Sequence, residues 1–229
     1  MQKTVYIIFF IVITCIGVQS QNTFRYEWAF GASGGIGFSR ASFTPRIKEK
    51  MLFGLNGGFT ARWITEKNLG LQLEFNLKQQ GWSEDFSLID NMPINNPFYI
   101  RRMTYVDIPL FTHIYFGDKK VRFIINLGPQ IGFFVHESTK ENLNGNDTPN
   151  KPNAQHTLPV LKKIEWGLGG GPGLEIRSGI GFFLLEGRYY YGLSDFYSTH
   201  HEDAFFKAAS QLISVKLTYL IPLKKNVRP

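Results

Sequence analysis

The chain has 229 residues, with 25 Lys and Arg against 18 Asp and Glu, a formal net charge of +7 and a single cysteine, Cys15. This length suits one all-β domain, and no run of 18 apolar residues occurs outside the N-terminus, which excludes a bundle of membrane-spanning helices. Aromatic residues make up 15% of the chain, and many of its 23 glycines lie within predicted strands. The aromatic girdles and close backbone packing of a small barrel use both.

Residues 1–20 are predicted to be a signal peptide. Lys3 supplies the positive charge, Val5–Val18 forms the apolar segment, and Val18-Gln19-Ser20 has the small-residue pattern of a cleavage site. A membrane anchor is the alternative, but the apolar run is short and no basic stop-transfer group follows it. Cleavage after Ser20 removes Lys3 and Cys15, so the mature chain has 24 Lys and Arg, 18 Asp and Glu, a net charge of +6 and no disulfide.

Eight segments alternate between apolar and polar residues, as β-strands with two unlike faces do. The clearest is Leu69–Lys78, in which every odd position is Leu or Phe and every even position is Gly, Gln, Glu, Asn or Lys. A helix of period 3.6 cannot separate these two sets, whereas a strand places them on opposite faces. Pro109 interrupts the fourth segment, where we expect a β-bulge. In chain order, the predicted strands are Phe24–Phe38, Met51–Trp63, Leu69–Lys78, Arg102–Phe116, Val121–Val135, Ile164–Ile176, Phe183–Leu193 and Ala209–Ile221.

The connections between these strands decide between a soluble sandwich and a membrane barrel. Long connections of about twelve to twenty-five residues alternate with short ones of about two to four; the long ones are predicted loops at Ser39–Lys50, Gln79–Ile100, His136–Leu161 and Ser194–Ala208. Bacterial outer-membrane barrels have long external loops and short periplasmic turns, whereas a sandwich has no reason to sort loops by length. The predicted fold is therefore an all-β, eight-stranded antiparallel up-and-down transmembrane barrel over residues 21–223, with a basic periplasmic tail at 224–229.

In such a barrel the apolar faces meet lipid and the polar faces meet the lumen. Trp28, Trp63, Tyr189 and Tyr219 are candidate aromatic residues of the membrane interface. Since the inward set carries both signs of charge, we expect a paired network that fills the lumen, with an open small-solute channel as the alternative. The predicted inward charges are Arg25, Glu27, Arg62, Glu74, Lys78, Asp107, Arg122, Glu165, Glu175, Arg177, Glu186, Arg188 and Lys216.

Four segments carry a family resemblance: Tyr105–Leu110 (YVDIPL), Asn126–Gly132 (NLGPQIG), the glycine-rich Gly167–Glu175, and Glu186–Leu193 (EGRYYYGL). Together they resemble the PorT family of outer-membrane β-barrels of the Bacteroidota, over about Phe24 to Leu223. The resemblance implies an eight-stranded outer-membrane barrel. The family's namesake belongs to the type IX protein secretion machinery, and many relatives look like generic barrels of unassigned role.

The sequence predicts no catalytic, cofactor or metal site. His200-His201-Glu202-Asp203 has metal-ligand residue types, but adjacent histidines point apart, so a solvated loop is favoured. Asp107 and His113 share a face but lie too far apart for a catalytic pair. His136 with a loop serine such as Ser198 is the remaining, weaker possibility, as in a lipid-modifying barrel hydrolase. Because no helix follows them, the glycines of Gly167–Gly173 are expected to line a crowded interior instead of cradling phosphate.

We therefore expect a non-enzymatic barrel of the outer membrane, reached through a cleaved signal peptide. The expected partners are outer-membrane lipid and lipopolysaccharide, together with envelope or secretion-machinery proteins and no nucleic acid. Loop lysines are candidates for contact with lipopolysaccharide phosphates, with a solvated rim as the default interpretation; they are Lys48, Lys50, Lys140 and Lys151.

Overall fold

In a computed structural model of the protein, the structure describes residues 26–84, 98–142, 154–197 and 204–223. Within these residues, eight long strands, one two-residue strand (β2) and one short helix (α1) are present. No helix among them has the length and apolar character needed to cross a bilayer. The elements are β1 (Glu27–Thr44), β2 (Glu49–Lys50), β3 (Leu52–Glu66), β4 (Leu69–Glu84), β5 (Phe98–Gly117), β6 (Val121–Asn142), α1 (Ala154–Thr157), β7 (Ile164–Arg177), β8 (Phe182–Asp195) and β9 (Lys207–Pro222). The predicted signal peptide and basic tail lie outside the described residues.

The eight long strands close into a ring. Neighbours pair antiparallel in the order β1, β3, β4, β5, β6, β7, β8 and β9. The last strand then pairs with the first, from Ala29 opposite Pro222 to Thr44 opposite Lys207. Closure leaves no open sheet edge in the membrane, where no water could satisfy its backbone groups. The predicted up-and-down barrel of eight strands is therefore confirmed.

The faces of each strand are inverted relative to a soluble protein, as β4 shows. Phe75 is 52% exposed, whereas the neighbouring Glu74 is fully buried. On this strand Leu71 and Leu77 also point outward, and Lys78 points inward with 3% exposure. An outward apolar face with an inward polar face is the arrangement of a barrel whose solvent is lipid, which confirms the predicted orientation.

The strands are longer than predicted at the end that carries the long connections. Part of the predicted loop Ser39–Lys50 belongs to β1, which continues to Thr44, and β6 runs on to Asn142. Beyond Phe38 the outward residues become polar, beginning with Arg40, so the alternation used for prediction ends there. Pairing does not end, because Arg40 still faces Gln211 across the ladder. The strands thus extend past the apolar band.

The predicted bulge at Pro109 is wrong. Pro109 lies opposite Gln130 with no shift of register, and the shift occurs between Thr104 and Tyr105. In an antiparallel ladder, the N–H of each residue bonds to only one of the two neighbouring strands. A proline, which lacks this N–H, therefore removes one hydrogen bond, and the strand does not need the additional residue of a bulge. The bulge lies instead beyond the inward Asp107, toward the outer ends of β5 and β6.

Connections at one end of the barrel are short, at residues 67–68, 118–120 and 178–181. Both ends of the described chain, near Glu27 and Pro222, lie at this same end. The short turns of an outer-membrane barrel are periplasmic. We therefore call this end inner and the opposite end outer.

Three of the four predicted interface aromatics lie near the inner end. Trp28 stacks on Trp63, with ring centres 5.2 Å apart. The hydroxyl of Tyr219 donates to the carbonyl oxygen of Ile180, at 2.6 Å, in the turn between β7 and β8. Tyr189 differs, because it lies at the middle of β8, away from both ends of the strand.

Candidate functional site

The lumen contains a network of paired charges, which we call the lumen network. Its twelve members in the described residues are six cations and six anions, so their formal charges cancel. Each has an oppositely charged partner within 4.0 Å. The predicted paired lumen is confirmed for these residues, and Arg25 lies outside the described part. The members are Arg62, Lys78, Arg122, Arg177, Arg188 and Lys216 with Glu27, Glu74, Asp107, Glu165, Glu175 and Glu186.

Glu74 is the hub of this network. Its carboxylate accepts two hydrogen bonds from Arg188, at 2.9 and 2.7 Å, and one from Lys216 at 2.5 Å. The side-chain amides of Gln72 and Asn76 donate to the same carboxylate, at 2.7 and 3.0 Å. A buried carboxylate needs such complete pairing, because desolvation of an unpaired charge is unfavourable by several kcal/mol. The hub therefore joins β4 to β8 and β9 across the lumen.

A second group on the outer side of the hub is built around Lys78. Its ammonium group donates to Asp107 at 2.9 Å and to Glu165 at 2.7 Å, which joins β4 to β5 and β7. Gln80 donates to the other oxygen of Glu165, at 2.6 Å. Toward the inner end, Arg62 pairs with the buried Glu175. Bonds of this kind span the lumen in several directions and hold opposite walls together.

The space that remains in the network is small. A cavity of about 30 Å³ is bordered by Lys78, Asp107, Gln130, Arg188 and Lys216. That volume holds one or two water molecules. It is far below the 300 Å³ or more of typical small-molecule pockets. The cavity that these residues border is therefore too small for a typical small-molecule ligand.

Glycines on β7 make room for the crowded interior, as predicted for Gly167–Gly173. A Cβ atom on Gly169 would lie 1.8 Å from Nε2 of Gln130, and one on Gly171 would lie 1.9 Å from the carbonyl oxygen of Gly187. A side chain at Gly169 would collide with a lumen side chain, and one at Gly171 would collide with the backbone of β8. The run therefore serves packing.

The inner end is closed by an apolar cluster, the inner plug. It consists of buried side chains from six strands, with Arg177 stacked at 3.9 Å from the ring centre of Phe182. Arg177 also pairs with Glu27 at 2.5 Å, which carries the lumen network to the periplasmic mouth. The inner plug comprises Ala29, Ile64, Tyr115, Ile124, Phe182, Leu184 and Leu220.

A larger aromatic cluster, which we call the external cap, fills the outer end. It combines inward residues of the outer strand ends with residues from the segments that follow β1, β6 and β8. Trp82 stacks on Phe196 with ring centres 5.6 Å apart, and Phe43 meets Trp82 edge to face at 5.1 Å. The cap comprises Ala41, Phe43, Ile47, Trp82, Tyr99, Met103, Tyr105, Val160, Phe196, Tyr197, Phe205 and Ala208.

Arg101 fastens the cap. Its guanidinium donates to the carbonyl oxygens of Gln155 and Leu158, at 3.0 and 2.8 Å, and to the hydroxyl of Tyr197 at 2.8 Å. Its Nε and Nη2 donate to Glu137, at 3.0 and 2.6 Å. Five hydrogen-bond contacts from the three nitrogens of one planar group thus hold helix α1, the segment after β8, and β6 together.

Sequence reasoning missed Arg101, because the fourth strand was predicted to begin at Arg102. The missed signal is parity: Arg101 continues the inward series of Met103, Tyr105 and Asp107. Glu84, which accepts hydrogen bonds from Gln155 and His156 at 2.9 and 2.6 Å, was missed for the same reason, since it lay in a predicted loop.

Glu49 gives the outer end a dependence on pH. Burial raises the pKa of its carboxyl to about 7, and the nearby Glu84 acts in the same direction. The backbone N–H of Ala41, which donates to Glu49 at 3.0 Å, and the charges of Arg40 and Arg46 oppose that rise. An acid whose pKa is higher in the folded state than its usual 4.5 stabilises the fold when protonated. This stabilisation is lost as pH rises from about 4.5 to about 7.

We therefore expect the folded state in which Glu49 is buried against β1 to be more stable against local opening at pH 5 than at pH 8. The measurement is hydrogen-exchange protection of the Ala41 amide, corrected for the intrinsic rate at each pH. Glu49→Gln is expected to remove the difference, whereas Glu141→Gln, an exposed acid at the same end, is expected to retain it. Equal pH dependence in the wild type and Glu49→Gln would contradict this prediction.

The histidines do not assemble a catalytic site in the described residues. Nδ1 of His113 bonds to Oδ1 of Asn126 at 2.8 Å, whereas Asp107 pairs with Lys78. His136 is exposed on the outer part of β6. Ser198 and the segment His200-His201-Glu202-Asp203 lie outside the described residues. Within the described ranges, no group of three His, Cys, Asp or Glu residues could hold a metal ion.

Comparisons with known proteins agree with this architecture. The family model described as outer membrane protein beta-barrel domain matches residues 19–198, which is more than half of the chain. A search of the curated proteins finds no significant match.

Several solved structures are similar. Ail, the attachment invasion locus protein of Yersinia pestis, in complex with the heparin analogue sucrose octasulfate, is 13% identical, with a TM-score of 0.42 over 85% of this chain and 99% of that one. Neisserial surface protein A is 13% identical, with a TM-score of 0.41 over 83% and 97%. Outer Membrane Protein W of E. coli is 14% identical, with a TM-score of 0.36 over 85% and 98%.

Proposed function

Since the chain belongs to the outer membrane protein beta-barrel domain family, we propose that it is a sealed, non-enzymatic barrel whose outer surface, held in place by the external cap, docks a partner protein of the cell envelope. The protein is located in the outer membrane. Because side chains fill the described part of its lumen, we assign its function to the surface that it presents outside the membrane.

The observation that carries this proposal is the filling of the barrel at three levels. The inner plug, the lumen network and the external cap follow one another along the axis, and the cavity bordered by the network has a volume of about 30 Å³. The network is also neutral as a whole, so it offers no net field that would select ions of one sign. Both features argue against a small-solute channel.

The external cap holds the segments at the outer end in fixed positions, which supports a docking role. Helix α1 and the segment after β8 are held by side chains that belong to the barrel wall, Arg101 and Glu84. A surface fixed in this way in the free protein loses little conformational entropy when it binds a partner. Rigid elements also position binding residues better than mobile loops do.

The resemblance to the PorT family leads us to propose a component of the protein secretion machinery as the partner. The proposal rests on the four sequence segments named above, in particular Tyr105–Leu110 and Glu186–Leu193. Deletion of the gene, followed by comparison of the secreted proteins, tests it. Loss of specific proteins from the medium would support the role, and an unchanged set of secreted proteins would contradict it.

We expect the refolded protein to show no sustained current in a planar lipid bilayer. A general porin in the same membrane provides the positive control. Sustained single-channel current from the wild-type protein would contradict the sealed lumen and favour the alternative, a small-solute channel.

The non-enzymatic part of the proposal has its own test. In the described part of the chain, the two histidines that face inward are engaged, His113 by Asn126 and His156 by Glu84. The folded barrel incubated with lipopolysaccharide is expected to release no acyl chain. Release of fatty acid above the level of an unfolded control would identify a lipid-modifying enzyme.

A further inference from the structure

We propose that a cleft between the outer ends of β7 and β8 binds the phosphorylated glycolipid of the outer leaflet, with the phosphate at Lys162 and Lys163 and an acyl chain on Trp166. The cleft has a volume of about 640 Å³. The inference deepens the expected contact with membrane lipid and rests on the location in the outer membrane. It does not depend on whether the lumen conducts or whether the cap docks a protein.

The cleft exists because β7 and β8 stop pairing before they end. Their last backbone pair joins Gly167 to Gly192. Beyond it, the hydroxyl of Ser194 accepts a hydrogen bond from the N–H of Trp166 at 2.9 Å, in place of a backbone partner. The strands approach again further out, where the N–H of Lys162 donates to the carbonyl oxygen of Phe196 at 3.3 Å. A gap bounded on both sides therefore opens in the outer surface of the wall.

The membrane side of the cleft is apolar. Trp166 is 53% exposed, and Ile164 and Leu193 beside it are similarly exposed. All three continue the outward faces of their strands, which lie in the hydrocarbon further down. A tryptophan at the boundary between apolar and polar surface is typical of the lipid headgroup level. This wall suits the first part of an acyl chain.

The outer side of the cleft is cationic. Lys162 has the same outward parity as Ile164 and Trp166. Lys163 has the opposite parity, but it is exposed and lines the cleft, with its ammonium group 4.2 Å from the ring centre of Phe134. Within the described residues, neither lysine forms an ion pair. The acid in the lining, Asp195, already accepts a hydrogen bond from the N–H of Ala208 at 2.7 Å. The cleft therefore presents an excess of positive charge beside an apolar wall.

The position of the cleft in the barrel indicates which lipid it binds. The cleft lies at the end with the long connections, so its lipid belongs to the outer leaflet. Basic pockets at the membrane boundary bind anionic headgroups, and each Lys near the surface contributes to that attraction. A phosphorylated glycolipid supplies both the phosphate and the acyl chains that these two walls require.

The test uses the full-length mature protein in detergent micelles, with native mass spectrometry to measure the binding of added lipid. The probes are diphosphorylated lipid A, its dephosphorylated form and phosphatidylglycerol. The variants are Lys162→Gln, Lys162→Gln/Lys163→Gln and the control Lys119→Gln/Lys120→Gln. The control removes two adjacent exposed lysines in the inner turn after β5, so it matches the loss of charge at the opposite end of the barrel.

We expect the wild type to prefer diphosphorylated lipid A to both other probes, and the double variant at Lys162 and Lys163 to lose about tenfold in affinity. Lys162→Gln should show part of this loss without touching the contact of Lys163 with Phe134, and the control should bind as the wild type does.

Three results would overturn the proposal: equal binding by the wild type and the Lys162 and Lys163 variant, an equal loss in the control, or equal binding of the dephosphorylated form. Preference for phosphatidylglycerol would overturn the choice of glycolipid. Conductance and secretion are unaffected by any of these outcomes, so failure here and failure of the proposed function are distinguishable.

Discussion

Glu74→Ala is expected to lower the free energy of unfolding by about 3–5 kcal/mol, the largest effect of any single substitution in the lumen. The carboxylate is fully buried and neutralises both Arg188 and Lys216. Its removal leaves two cations facing each other in a closed space. Arg188 retains Glu186 at 2.7 Å, but Lys216 retains only the amide oxygen of Asn76, at 2.8 Å, among the contacts described here. Removal of one partner from a buried pair is far more harmful than replacement of the whole group.

The measurement is urea unfolding of the barrel in micelles, followed by tryptophan fluorescence. Glu74→Gln separates charge from volume, since it keeps the shape and removes the charge; it should lose most of the same free energy. Lys119→Ala, an exposed residue of an inner turn, is the control and should change the value by less than about 0.5 kcal/mol. A loss below about 1 kcal/mol for Glu74→Ala would contradict the view that this network holds the walls together.

The faces of the barrel could be predicted from the sequence because strand periodicity is local. In Leu69–Lys78 the alternation assigns every side chain to a face without reference to any other strand. The choice of lipid as the solvent of the apolar face needed one more observation, the sorting of long and short connections. The presence of both charge signs on the inward faces then predicted a filled lumen.

The partners within the lumen could not be predicted, because they depend on the closed register of the whole ring. Arg62 and Glu175 are 113 positions apart in sequence and meet across the lumen. The outer strand ends were also missed: past the apolar band the outward residues are polar, as at Arg40, while inward residues such as Phe43 remain apolar. This part of the sequence therefore resembles a loop, although the strands continue to pair there. The cap, whose fastening residue Arg101 lies in such an extension, escaped prediction for this reason.

Arg101→Ala is expected to release the external cap while leaving the membrane-spanning barrel folded. The substitution removes five hydrogen bonds, including those to the carbonyl oxygens of Gln155 and Leu158. Hydrogen bonds to charged groups make a net contribution of about 1.5–3 kcal/mol each, and several of these bonds share one donor nitrogen, so their contributions do not simply add. We expect residues 155–160 to lose about 2–3 kcal/mol of local stability. The hydroxyl of Tyr197 still reaches the oxygen of Gln155, at 3.1 Å, so some order remains.

Hydrogen exchange measures this directly, because opening of the cap and unfolding of the barrel affect different amides. In Arg101→Ala, residues 155–160 should exchange faster while the ladder between β1 and β9 keeps its protection. Arg102→Ala is the matched control: the next arginine in the chain faces outward, and its Nη2 donates to the carbonyl oxygen of Phe53 at 3.3 Å. Because Arg102 takes no part in the cap, its loss should leave residues 155–160 unchanged. Equal exchange in the two variants would show that the cap is held by its aromatic packing and not by Arg101. Substitution of Arg101 could then not be used to disorder the proposed docking surface.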